Sequence, residues 1–204
     1  MDKGIPICGL LYGFKAVTWN LWCEIGIYDV RDGTYIKKDC LKFITSWPSA
    51  HGVICVTTDP VKNHIIVGTD SRDVYVFTDQ MNYSHMITLP DVIDETYDIT
   101  VHRGSLLVCG NYTERAAYAV TMEESQSKLM YEFTKPDLDG LDWKPLRVCT
   151  DKNELIYMLW KAGILHQRCI LVQYGQDGGQ LLTRTVDNDV DRVSTFEENG
   201  IENS

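Results

Sequence analysis

No apolar run in this chain of 204 residues approaches the roughly 20 residues that a membrane-spanning helix needs. The opening stretch, MDKGIPICGLLYGF, lacks the basic flank and long apolar core of a signal peptide. The seven cysteines include no Cys-x-x-Cys pair and no zinc-ligand spacing. Positive charge is also short: 19 basic residues stand against 29 acidic ones, a formal net charge of −10. A phosphate backbone demands a basic footprint, and none is visible here. These absences argue against a membrane protein, a zinc module and a nucleic-acid binder.

Catalytic signatures are equally scarce. The chain has no Gly-x-Ser-x-Gly elbow, no Gly-x-Gly-x-x-Gly and no phosphate loop of the Gly-x-x-x-x-Gly-Lys-Ser/Thr type. The five histidines, His51, His64, His85, His102 and His166, never fall three or four apart as a helical metal pair would. His51 and Cys55 are spaced by four, but on a predicted strand that separates them by about 13 Å. Asp187, Asp189, Asp191 and Glu198 carry the oxygen spacing of a calcium loop. Arg192 occupies the position where that loop needs glycine, and a solvated acidic turn is the simpler reading. The expectation is therefore no catalytic residue, no metal and no cofactor.

What is present is an ordinary globular composition, 44% hydrophobic and 24% charged, enough for a packed core. Half of the acidic excess falls in the last eighteen residues, which read as an acidic tail. Most cysteines sit inside apolar runs such as VIC, LLVCG and RCILV, where a thiol acts as a small hydrophobe. A cytoplasmic protein with reduced cysteines follows. The glycosylation patterns at Asn82 and Asn111 are then chance matches.

The chain also repeats. HGVICVTTDPVKNHIIVGTDSRDVYVFTDQ at 51–80 holds three short apolar runs divided by polar punctuation. ITVHRGSLLVCGNYTERAAYAV at 99–120 and RVCTDKNELIYMLWKAGILHQRCILVQY at 147–174 follow the same plan. A fourth strand closes each unit: HMITL, KLMYEFT and QLLTRTV. The N-terminal segment supplies IPICG, FKAVTW, EIGIYDV and TYIKKDCLKF, with Asp32-Gly33 as the hairpin turn between the last two. No segment shows a sustained helical period, and TMEESQSKL at 121–129 reads as a long hairpin loop.

A period of about 47 residues with four strands per unit is the signature of β-propeller blades. The expected fold is thus all-β: one propeller over 1–204, with blade units at about 5–44, 51–90, 97–135 and 145–187. An extra strand, DRVSTF, and the acidic tail fill 188–204. Either that strand closes a four-bladed ring, or the units belong to a larger, truncated propeller with open blade edges, through which the chain could self-associate.

GVICVTTDPVKNHIIVGTDSRDVYVF at 52–77 resembles the NHL-type repeat found at the C-termini of tripartite-motif proteins. EIGIYDVRDGTYIKK at 24–38 is similar to the later hairpin of the same unit. The NHL tripeptide itself is missing, and a WD-repeat propeller, without Gly-His or Trp-Asp dipeptides here, is the second resemblance. Kinship with tripartite-motif proteins implies substrate recognition for a ubiquitin ligase. The RING and B-box modules that carry ligase activity are not in these residues.

In such a ring, loops between second and third strands share a face with the connections between blades. That face would carry Trp47, Asp70, Arg72, Tyr112, Arg115, Trp143, Trp160 and His166. Aromatic and arginine side chains on loops are what binding hot spots are made of. For Trp47 and Trp143, each near a proline, packing between blades is the competing reading. The functional expectation is a non-catalytic module that binds a protein or peptide. The alternative is a calcium-dependent propeller hydrolase of lactonase type, which would need acids from several inner strands around one ion.

Overall fold

The computed structural model describes residues 7–11, 15–19, 24–29, 31–40, 52–110, 116–138, 140–163 and 168–186. Every regular element among them is a strand, so the all-β expectation holds. The first sheet contains β1 (Ile7–Leu11), β2 (Lys15–Trp19), β3 (Glu24–Asp29) and β4 (Tyr35–Cys40). The second contains β5 (Val53–Asp59), β6 (His64–Thr69), β7 (Asp73–Thr78) and β8 (Tyr83–Thr88). The third is built from β9 (Asp98–His102), β10 (Ser105–Cys109), β11 (Ala117–Thr121) and, after the short β12 (Ser125–Gln126), β13 (Leu129–Phe133). The fourth holds β14 (Lys144–Thr150), β15 (Ile156–Ala162), β16 (Arg168–Tyr174) and β17 (Gln180–Val186). Apart from β12, which joins the second sheet, each sheet is an antiparallel meander in chain order.

The turns follow from local chemistry. Gly33 takes a positive φ of 71° after Asp32, whose carboxylate accepts the Thr34 N–H at 2.8 Å. This is the Asp-Gly hairpin read from the sequence. In the second sheet, Asp59 Oδ1 accepts the N–H groups of Val61 and Lys62, at 3.0 and 3.1 Å. Asp151 does the same in the fourth sheet for Asn153 and Leu155, both at 2.9 Å. An aspartate at the end of the first strand thus sets the same turn in both units.

The sheets pack face to face in chain order, with one apolar layer between each pair. Val17, Ile25 and Ile27 meet Ile65, Val67 and Phe77 between sheets one and two. Ile66, Val74 and Val76 meet Leu106, Val108 and Tyr118 between sheets two and three. Leu107, Ala119 and Phe133 meet Met158, Trp160 and Val172 between sheets three and four. Strands β6 and β10 therefore bury both faces, which is why HIIVG and SLLVC run apolar without alternation. First strands adjoin one another: β1 lies against β5, β5 against β9, and β9 against β14. Fourth strands lie on the outside, and β17 is largely exposed.

Two sequence expectations shift. The first strand of the fourth unit begins at Lys144, before RVCT, while the expected start of the first strand at Ile5 lies outside the described residues. Within the loop expected at 121–129, Ser125 and Gln126 cross to the second sheet and pair in parallel with Ile87 and Thr88 of β8. Ser127 then fastens the crossing: its N–H and its hydroxyl both donate to the Thr88 carbonyl at 3.0 Å. DRVSTF and the calcium-like acidic turn lie outside the described residues.

Candidate functional site

The β6–β7 turn and the β8–β9 connection emerge at one end of the sheets, because strand direction alternates. Asp70 and Arg72 sit there, on the β6–β7 turn. Thr69 Oγ1 bonds Ser71 Oγ and the Asp73 carbonyl, each at 2.8 Å, which ties the base of this turn. Arg72 forms an ion pair with Asp91 of the next connection. The backbone N–H of Asp70 donates to the Gly52 carbonyl at 3.2 Å, joining the turn to the entrance of β5. The same end holds Asp94 and Glu95 and, in the β13–β14 connection, Asp137 and Asp142; Lys135 is the base in that connection. Val92 and Leu138 are exposed among these acids.

Trp143 and Trp160 are at this end in sequence register but not at its surface. Trp160 is fully buried on the face of β15 that carries Ile156, Met158 and Ala162, against the third sheet. Trp143 is buried in the same layer, its indole N–H donating to the Leu138 carbonyl at 3.0 Å. Their rings fill the layer between sheets three and four, so neither presents a binding surface. The packing reading describes Trp143, and it extends to Trp160. Trp47, Tyr112, Arg115 and His166 lie outside the described residues.

Beneath the loops lies a polar cluster that the sequence did not single out. Asp98, at the start of β9, accepts the backbone N–H of Val148 on β14 at 2.9 Å, linking two first strands. The Arg147 guanidinium lies 4.8 Å over the Tyr97 ring and donates to the Leu146 carbonyl at 3.2 Å. Burial pushes the Asp98 carboxyl up to about 6, against the opposing pull of Arg147 and of the Val148 and Ile99 amides. Cys55, Cys109 and Cys149 surround this group, and burial followed by the Asp98 charge raises all three thiols. Cys149 reaches about 12. High thiol values make these cysteines inert rather than nucleophilic. Thr96 Oγ1 donates to the Thr69 carbonyl at 2.6 Å, tying the β8–β9 connection to β6. The signal that could have found the cluster is a carboxylate at the head of an otherwise apolar first strand, YDITV.

Among the described residues, no three His, Cys, Asp or Glu side chains converge in a way that could hold a metal ion. Among the same residues, no helix is long and apolar enough to cross a membrane.

No family model matches the chain, and no curated protein matches it in sequence. In fold it is similar to a solved crystal structure of a protein of unknown function from Bacteroides caccae, with a TM-score of 0.60 and 13% identity. The match covers 96% of this chain and 66% of that one, so the chain spans less than two thirds of that protein's length. Likeness at this identity is likeness of fold alone.

Proposed function

We propose that the four sheets are blades of a β-propeller-type module that binds a protein or peptide without catalysis. Support for the propeller reading comes from the meander order of each sheet and from the contact of successive first strands, which would line the axis. One observation carries the functional reading. The β6–β7, β8–β9 and β13–β14 loops gather at one end and present exposed Val92 and Leu138 among acidic side chains. Apolar anchors in a mostly acidic surround suit a basic peptide segment, steered by the field and held by the anchors. Asp70 and Arg72 belong to this surface, with Arg72 held by Asp91.

An NHL-type kinship, read from residues 52–77, would make this surface a substrate-recognition face for a ubiquitin ligase. The compartment we propose is cytoplasmic, in keeping with free Cys55, Cys109, Cys149 and Cys169. The test is fluorescence polarisation with a labelled arginine- and lysine-rich peptide beside an acidic peptide of equal length. Saturable binding of the basic peptide alone, weakened by salt and by Asp91→Lys with Asp142→Lys, supports the reading. Equal binding of both peptides, or none of either, would overturn it.

A further inference from the structure

We propose that Arg147 and Tyr97 form a carboxylate site at the heads of the first strands, where the free C-terminus of the bound basic peptide docks. The inference rests on the peptide-binding reading above. Strands β5, β9 and β14 adjoin in that order, and each is irregular near its head. Ile54 falls in the register shift between Val53 and Cys55, and Leu146 in the shift between Pro145 and Arg147. In β9, Asp98 pairs with Cys109 while the Tyr97 N–H also donates to the Cys109 carbonyl, at 2.8 Å. Ile54, Tyr97 and Leu146 are therefore counterparts, and so are Cys55, Asp98 and Arg147, which follow them. Such bulges re-aim side chains and are frequent beside functional sites. Here they bring Tyr97 against Leu146 and under the next residue, Arg147.

Arg147 suits an anion. Its guanidinium lies 4.8 Å over the Tyr97 ring, which fixes the plane of the fork. Nη1 donates to the Leu146 carbonyl at 3.2 Å, and the rest of the five-donor fork meets no acceptor among the described residues. Asp98 attracts Arg147 through charge, while it accepts hydrogen bonds from the Val148 and Ile99 amides. Arg147 and Tyr97 are part-exposed, so a ligand can reach them.

The surroundings name the ligand. Asp94, Glu95 and Asp142 stand on the segments that lead into β9 and β14. A peptide that is basic along its length and ends in a free carboxylate meets both signs in order, acids first and the guanidinium within. An internal aspartate or glutamate would instead put its charge among those acids. The planar fork matches a carboxylate with two parallel hydrogen bonds.

Fluorescence polarisation with one basic peptide, made as the free acid and as the C-terminal amide, tests the site at neutral pH. The field of a chain of net charge −10 favours the amide, which carries one negative charge fewer. The site predicts the reverse, with the acid bound about tenfold more tightly. Arg147→Gln should abolish the preference while the amide still binds; Arg147→Lys, which keeps the charge but not the fork, should retain only part of it. Asp98→Asn removes a competing carboxylate and should widen the preference. Acid and amide bound alike by the native chain overturn this proposal and leave the peptide-binding reading standing. Binding of neither overturns both. A preference undiminished in both Arg147 variants, or one that Asp98→Asn fails to widen, also overturns the site.

Discussion

Asp98 shows how one side chain couples burial to pH. Its carboxyl titrates near 3.8 when free and near 6 in the fold, so the folded chain holds the proton more tightly. The contribution to stability is fully present below about pH 4 and is lost as pH rises through about 6. A shift of this size corresponds to about 1–3 kcal/mol at neutral pH. Asp98→Asn keeps an oxygen to accept the Val148 N–H and removes the buried charge. The variant should therefore be more stable than the native chain near neutral pH, with the gain vanishing near pH 4 in urea titrations. An equal gain at both pH values would mean that the carboxyl is not the titrating cause. Gly68 poses a steric question instead. A Cβ there would stand 2.5 Å from Cys55 Sγ and 2.6 Å from Thr96 Oγ1. Gly68→Ala should cost about 1–3 kcal/mol through overpacking. Adding Cys55→Ala should return part of that loss, because the two sites share one contact. Additive losses in thermal melts would show that the thiol is not what the new methyl meets.

At the scale of elements, alternation and punctuation carried most of the information. Asp-Gly at 32–33, DPVKN at 59–63 and DKNEL at 151–155 are turns in both sequence and structure, because an aspartate or glycine there satisfies the bend locally. HIIVG and SLLVC read as apolar strands, and the structure covers both of their faces. Trp160 was misplaced on the loop face: it shares the period-two face of Ile156, Met158 and Ala162, and that face is core. β12 was not legible. Two residues pairing in parallel with another sheet leave no period, and their strength comes from Thr88, far away in sequence. Nor was the Asp98 cluster, since its partners arrive from a different first strand. The β12 crossing has its own test. Ser127→Ala deletes one of two bonds to the Thr88 carbonyl at a buried position, a loss of about 1 kcal/mol. Amides of β8 should then exchange hydrogen faster while those of β6 keep their protection. Unchanged exchange in β8 would mean that the crossing strand does not guard that edge.

For the whole molecule, the third and fourth sheets are joined at both ends by groups of opposite pH sense. Asp98 ties them at the loop end through Val148. At the other end, Arg103 pairs with Glu154 at 3.2 Å and donates to Gln176 at 3.1 Å, and Gln176 reaches the Asn153 carbonyl at 3.2 Å. His102 lies buried beneath this clasp, its ring bonded to the Gln176 backbone and its Nε2 without a partner. Burial lowers its pKa, the Gln176 backbone and the Glu154 charge pull upward, and Arg103 adds to the lowering. A histidine lowered in the fold contributes stability that is present above about pH 6.5 and is lost as pH falls below it, because only the unfolded chain takes the proton freely. Asp98 works the other way over the same range. The two contributions run in opposite senses below about pH 6.5, so each masks part of the other in the native chain. Each single substitution should unmask the other group. With Asp98→Asn, stability should fall on acidification, driven by His102. With His102→Gln, which stays neutral and can still donate to the Gln176 carbonyl, stability should rise on acidification, driven by Asp98. The double variant should depend on pH less than either single one, with a residual fall on acidification from His85, which burial also lowers. Two single variants that shift the profile in the same direction would show that one of the groups does not titrate as its surroundings require.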